Sequence, residues 1–273
     1  MYAIDFEYDG QYLSDYGFII CDFDYSSGVV SASAGSRVIF NKVSRNSGKQ
    51  YSLTSARYDE CIQTTFDICK NPDLFESYDD REITNDEYRD LMRWLNRREF
   101  LKFQVFDDDE GMRDTCYFNV SFNVEKLKIA EKLFGLRLTM ESDKPFGYGQ
   151  EQSVSWNFAD SSVSKILSDI SDEIGYIYPN ITITCASNGD LSLYNELLNC
   201  TTTIRNCLVG EVITIDGDAQ IISTTYSNHD VANDFNYEFF RIGNTIDNRN
   251  NRISVSKPCS LVIKYTPIIK DTP

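Results

Sequence analysis

The sequence predicts a mainly β protein in two domains, with one α-helix in the first. Three observations support this. Seventeen Tyr and seventeen Phe, with many Thr, Ile and Val, favour extended backbone. Short alternating apolar runs recur along the chain between turn-forming residues. One segment, from Ile83 to Arg98, carries a full set of helix signals. At 273 residues and 41% hydrophobic content, the chain can fill two cores, which excludes wholesale disorder.

The elements follow in order. Tyr2–Tyr8 and Gly17–Phe23 predict strands around a turn at Asp9-Gly10. From Tyr25 to Tyr58 there is no acidic residue, while Arg37, Lys42, Arg45, Lys49 and Arg57 are present. With a turn at Asn46-Ser47-Gly48, this window predicts an extended arm or a hairpin. Thr54–Cys69 predicts one or two strands ending at Asn71-Pro72, and the acidic stretch Asp73–Glu82 a solvated loop. Thr84 and Glu87 then form a capping box, with Ile83 and Tyr88 at staple positions. Tyr88, Leu91, Met92 and Leu95 make one apolar stripe. Acids gather at the helix start (Asp86, Glu87) and bases at its end (Arg93, Arg97, Arg98), as the macrodipole favours. Such a helix is built to lie on a sheet.

Strands are expected at Leu101–Phe106, Cys116–Val124 and Lys132–Met140, before a cluster of turn formers from Glu141 to Gly149 that marks the domain boundary. The second half predicts strands at Val154–Phe158, Ile181–Cys185, Leu191–Tyr194, Thr201–Ile204, Val212–Ile215, Gln220–Thr225, Phe239–Ile242, Ile253–Val255 and Leu261–Tyr265. Val163, Ile166, Leu167 and Ile170 have helical spacing, and Asn188-Gly189-Asp190 signals a hairpin. Short strands with closely spaced turns indicate a sandwich or barrel.

Function classes narrow by exclusion. A net charge of −16, acidic in both halves, argues against holding phosphate backbones or anionic membranes. The start, Met1-Tyr-Ala-Ile-Asp, lacks the basic and apolar regions of a signal peptide. The eight cysteines include no C-x-x-C pair and read as reduced, buried small hydrophobes. The one histidine, His229, lies in a polar loop, where solvation is the expectation. With one His and scattered Cys, no zinc site is expected. No nucleophile elbow and no phosphate-cradling glycine motif occurs. Asp107–Gly111 has the look of a calcium loop, but the later bidentate acid is missing and an exposed acidic turn fits better. Trp94 is expected to pack beside the helix stripe; the role of Trp156 stays open.

Taken in sequence, several segments resemble the distal tail protein of phages with long non-contractile tails. They are Ile4–Gly10 with Tyr16–Ile20, the helix ending Arg93-Trp94-Leu95, and the strand pair Leu101–Phe106 and Tyr117–Val124. The junction Asp143–Tyr148, then Tyr178–Thr184, Gly210–Asp216 and Ile242–Ile246, complete the set. The resemblance implies an N-terminal β-sandwich or split-barrel domain (1–145) with a packed helix at about 84–98, then a galectin-like β-sandwich (146–273). It also implies a homo-hexameric ring at the virion tail tip, made in the host cytoplasm. That ring would contact the tail tube protein, a tail-associated lysin or tip protein and a receptor-binding protein. Genome DNA would pass through it without specific binding. No enzyme activity, cofactor, metal or membrane anchor is implied. The acid-free window supplies the candidate subunit contacts: Arg37, Lys42, Arg45 and Lys49, able to meet a neighbour's acidic surface. A lectin-like carbohydrate-binding module is the alternative. Galectin-type grooves use His, Arg, Asn and a stacking Trp; the second half offers one His and one Trp, far apart and in no recognisable pairing, which disfavours it.

Overall fold

The computed structural model describes residues 5–23, 38–44, 51–58, 61–75, 77–106 and 116–270, with backbone alone at 42–44 and 51–54. The chain divides into two compact units, Met1–Tyr148 with Lys270–Pro273, and Gly149–Ile269.

In the first unit the strands are β1 (Asp5–Tyr8), β2 (Gln11–Tyr12), β3 (Phe18–Cys21), β4 (Val38–Ser44), β5 (Tyr51–Tyr58), β6 (Gln63–Lys70), β7 (Leu101–Phe106), β8 (Phe118–Ile129), β9 (Lys132–Ser142) and β10 (Gly147–Tyr148), with α1 at Asn85–Leu95. Seven of them form an antiparallel sheet in the order β2-β1-β7-β8-β9-β6-β3. The two edges, β2 and β3, are joined through the 3-10 turn Leu13–Tyr16 and Gly17. Laid flat, seven strands would span about 29 Å, whereas that connection reaches no more than about 20 Å. The sheet therefore curls. Its concave side is filled by Phe6, Tyr8, Phe66, Phe103, Phe122, Leu138 and Met140, all buried.

Helix α1 closes this core. Thr84 Oγ1 accepts from the Glu87 amide at 3.3 Å while the Glu87 carboxylate accepts from the Thr84 amide at 2.7 Å, so the expected capping box is formed. The other Glu87 oxygen meets buried Lys70 at 2.8 Å, tying the helix start to β6. Trp94 lies between the rings of Phe6 and Tyr16, at 5.7 and 4.6 Å, nearly parallel to both. Its indole donates to the Tyr8 carbonyl at 2.9 Å. The helix stops at Leu95, where the Asn96 amide bonds the Met92 carbonyl. Arg97 and Arg98 thus fall beyond the last turn, leaving Arg93 to face the dipole.

The second unit holds β11 (Gln152–Phe158), β12 (Ser164–Ser168), β13 (Gly175–Ile177), β14 (Asn180–Cys185), β15 (Gly189–Asn195), β16 (Cys200–Cys207), β17 (Val212–Asp216), β18 (Ile221–Thr224), α2 (Val231–Asp234), β19 (Ile242–Asn244), β20 (Asn250–Val255), β21 (Cys259–Tyr265) and β22 (Ile268–Ile269). A five-stranded sheet (β11-β21-β14-β17-β18) and a four-stranded one (β12-β20-β15-β16) enclose an aliphatic core that includes Ile183, Leu193, Ile213, Ile253 and Leu261. The pair β13–β19 is anchored by side-chain amides. Asn251 Oδ1 accepts from the Gly243 amide (2.7 Å) and from Asn195 (2.8 Å), while its Nδ2 donates to the Gly243 carbonyl (3.0 Å). It pairs with β19 as a strand would.

Two expectations are corrected. Residues 163–170 are not helical: Leu167 is buried and Ile166 is 54% exposed, the period of two of a strand, and β12 pairs with β20 throughout. Asn188-Gly189-Asp190 does not close a hairpin. Both edges of β14 are already taken by β21 and β17, so the chain crosses to the other sheet before forming β15.

Turn chemistry differs between two tight turns of the first unit. Asp9-Gly10 (φ 52° and 74°) suits left-handed backbone, but the β8–β9 turn places Ala130 and Glu131 there (φ 49° and 71°). Glu131→Gly is expected to stabilise the first unit by about 1 kcal/mol, read as a higher urea midpoint; an unchanged or lower midpoint contradicts it. Asn251→Ala is expected to destabilise the second unit by about 2–4 kcal/mol, because it leaves buried backbone groups unpaired; a loss under 1 kcal/mol in the same assay would show that the amide is dispensable.

Candidate assembly surfaces and a buried histidine

Two stretches of the window without acids form an antiparallel strand pair. β4 and β5 pair from Val38↔Tyr58 to Ser44↔Tyr51, with a bulge at Asn41/Lys42. Among the described strands this ribbon takes no third partner, and Val38 and Phe40 are 39% and 52% exposed. A two-stranded ribbon is marginal in water without a surface to lie on. Lys42 lies on β4 opposite Leu53; its side chain, and the whole of Arg37, Arg45 and Lys49, lie outside the described residues, as does Asp107–Gly111. Arg57 is exposed, opposite Ile39.

On the outward face of the five-stranded sheet lies a shallow groove of ≈ 360 Å³ lined by Asn180, Thr182, Thr214, Asp216, Ser223 and Lys264 among others. The register stacks Ser223, Thr214, Thr182, Val262 and Ser155 across the sheet in one row. Polar residues on the wet face of an antiparallel sheet need no ligand to explain them. Trp156 does not serve this groove. It packs against the core and meets Phe158 edge-on at 6.3 Å.

His229 is not solvated, contrary to expectation. Its side chain is 3% exposed, with Nδ1 2.5 Å from Oε1 of fully buried Glu211 and Nε2 3.3 Å from Asp234. Burial alone would lower the imidazole, but the bond to Glu211 and that carboxylate's charge hold it above its ordinary value. Burial would likewise raise Glu211, yet hydrogen bonds from Thr224, His229 and the Leu208 amide hold it low. The sequence signal for Glu211 was its phase: it shares the inward parity of buried Ile213 and Ile215. A base oriented by an acid also occurs in nucleophilic catalysis, but the nearby Cys207 thiol is 1% exposed and pushed well up by its bond to Cys185 and by burial. All eight cysteines are unbridged, five of them buried, and burial pushes Cys259 up to about 11. Among the described residues no group of His, Cys, Asp and Glu is placed to hold a metal ion, and no helix is long and apolar enough to cross a membrane.

Comparison with known proteins places this geometry. Residues 1–144 match a family described as phage tail protein N-terminal domain, and residues 146–265 one described as phage tail C-terminal domain. The fold is similar to the crystal structure of the Dit protein of phage SPP1, with a TM-score of 0.68 at 12% identity, over 96% of this chain and 98% of that one. That protein is described as a paradigm of the hub adsorption apparatus in phages infecting Gram-positive hosts. No curated protein matches in sequence.

Proposed function

This chain belongs to the phage tail proteins, carrying both the N- and C-terminal domains of that family, and on that premise we propose that it is the structural hub at the distal end of the tail. Six copies close into a ring that joins the tail tube to the tip, and the opening passes the genome. The observation that carries this reading is the end-to-end likeness to the SPP1 hub, which spans both β units. The tail tube protein binds one side of the ring. A tail-associated lysin or tip protein and a receptor-binding protein attach below. The protein works by shape and association, without bond-making chemistry, and is made in the host cytoplasm before it joins the virion.

The physics suits such a role. A ring needs a heterologous contact whose rotation closes, and the β4–β5 ribbon, which lies within the window free of acids and exposes Phe40, offers one. A net charge of −16 also suits a conduit for DNA, since cationic walls would retain a polyanion by counterion release.

Light scattering of the purified protein is expected to give six times the 31.3 kDa chain mass, and gold-labelled antibody is expected at the tail tip. Label along the tube or at the head would overturn the reading. Changing Arg37, Lys42, Arg45 and Lys49 together to Glu is expected to abolish rings in electron micrographs while leaving the circular dichroism unchanged. Intact rings from this variant would move the subunit contact elsewhere.

A further inference from the structure

The segment following β18 does something neither sheet requires for its own pairing. Helix α2 rests against β16 and β18, the edge strands of the two sheets on that side of the sandwich. The chain then runs along β16. Phe235 bridges to Ile204, and the Asn236 amide donates to the Thr203 carbonyl at 3.1 Å. The Asn236 side chain accepts from the Thr203 amide (3.1 Å) and donates to the Thr201 carbonyl (2.8 Å). Thr202 donates to the Glu238 carbonyl at 2.8 Å. Val231 and Phe235 are buried beneath. The stretch 231–238 is therefore a strap over backbone that would otherwise be an open sheet edge.

Its root is the His229 cluster. Glu211, at the turn before β17, faces Nδ1, and Asp234, at the end of α2, faces Nε2. The Cys207 thiol and the Arg205 carbonyl of β16 complete the surroundings. Asp230 is turned away, capping α2 through the Asn233 amide. Asp234 also receives Asn206 from β16 at 3.0 Å. The charged imidazole bonds Glu211 through Nδ1 and presents its charge to Asp234, 3.3 Å from Nε2 but not hydrogen-bonded to it; a neutral ring carries a single proton and loses that attraction. Deprotonation sets a lone pair against either Glu211 or Asp234, and Asp234 is the less buried of the two.

We propose that His229 is a proton-operated latch on this strap: bracketed by Glu211 and Asp234, the charged ring holds residues 231–238 against the edge strands, and loss of its proton loosens them. The sign follows from the direction of each shift. His229 is raised, so its contribution is complete below about pH 6.5 and is lost as pH rises through the folded value. Glu211 is lowered, so its contribution holds above about pH 4.3 and is lost as pH falls through its own folded value. The strap is tightest in the mildly acidic range and loosens toward alkaline pH.

With one histidine in the chain, its imidazole proton gives an unambiguous NMR titration. The expected midpoint lies above about 6.5. Amide exchange in 231–238, corrected for its intrinsic pH dependence, is expected to accelerate across that midpoint by about tenfold per unit of elevation, with core strand β14 unaffected. Asp234→Asn should lower the midpoint and shrink the acceleration together, and His229→Gln should abolish the pH dependence. A normal titration with no change in strap exchange would overturn the latch, as would equal acceleration in β14 or an Asp234→Asn variant with an unshifted midpoint.

Discussion

The first unit is governed by one constraint: the two edges of its seven-stranded sheet are tied by the short run from Leu13 to Gly17. A sheet so tied must curl, and a curled sheet has a concave interior that needs large side chains. Phe6, Phe66, Phe103 and Phe122 supply them, with ring centroids 5.3–6.3 Å apart. The edges β2 and β3 do not pair with each other, so the barrel stays split. Trp94 brings α1 over the interior, where its ring meets both β1 and the 3-10 turn.

The second unit meets a different demand. A two-sheet sandwich leaves edges and irregular connections whose backbone groups must still be satisfied. Here side-chain amides take the place of strands: Asn251 for β19, Asn236 for the open side of β16. These residues are costly to replace by apolar groups of similar size, because their partners are main-chain atoms that remain whatever the side chain becomes.

The amino-acid sequence disclosed the features whose cause is local. The capping box and stripe located α1 to within a few residues, and alternation located most of the longer strands, though not β12 or the short β2, β10, β13 and β22. What it did not disclose depended on distant partners. The Asn188-Gly189 signal reports that the chain turns, not which strand comes next, and β14 was already paired on both sides. The spacing of Val163 to Ile170 fits a helix until β20 is available to pair. His229 read as solvated because Glu211 is eighteen positions away in sequence, although Glu211, just before β17, keeps the inward phase of Ile213 and Ile215. For the arm, the sequence signal is plain: no acid from Tyr25 to Tyr58.

The register of the two sheets also bears on how the chain is made. β1 pairs with β7 through Phe6 and Val105, and β11 pairs with β21 through Val154 and Ile263. In the second unit β11 gains its partner only when β21, near that unit's end, has been made, and in the first β1 pairs early with β2 but its other edge waits for β7; such long-range pairing is slow to form. On the ribosome, β1 emerges well before the strand that will cover it, with Phe6 and Tyr8 awaiting burial. Holding nascent chains apart during that interval matters more here than in a protein whose neighbours in space are neighbours in sequence.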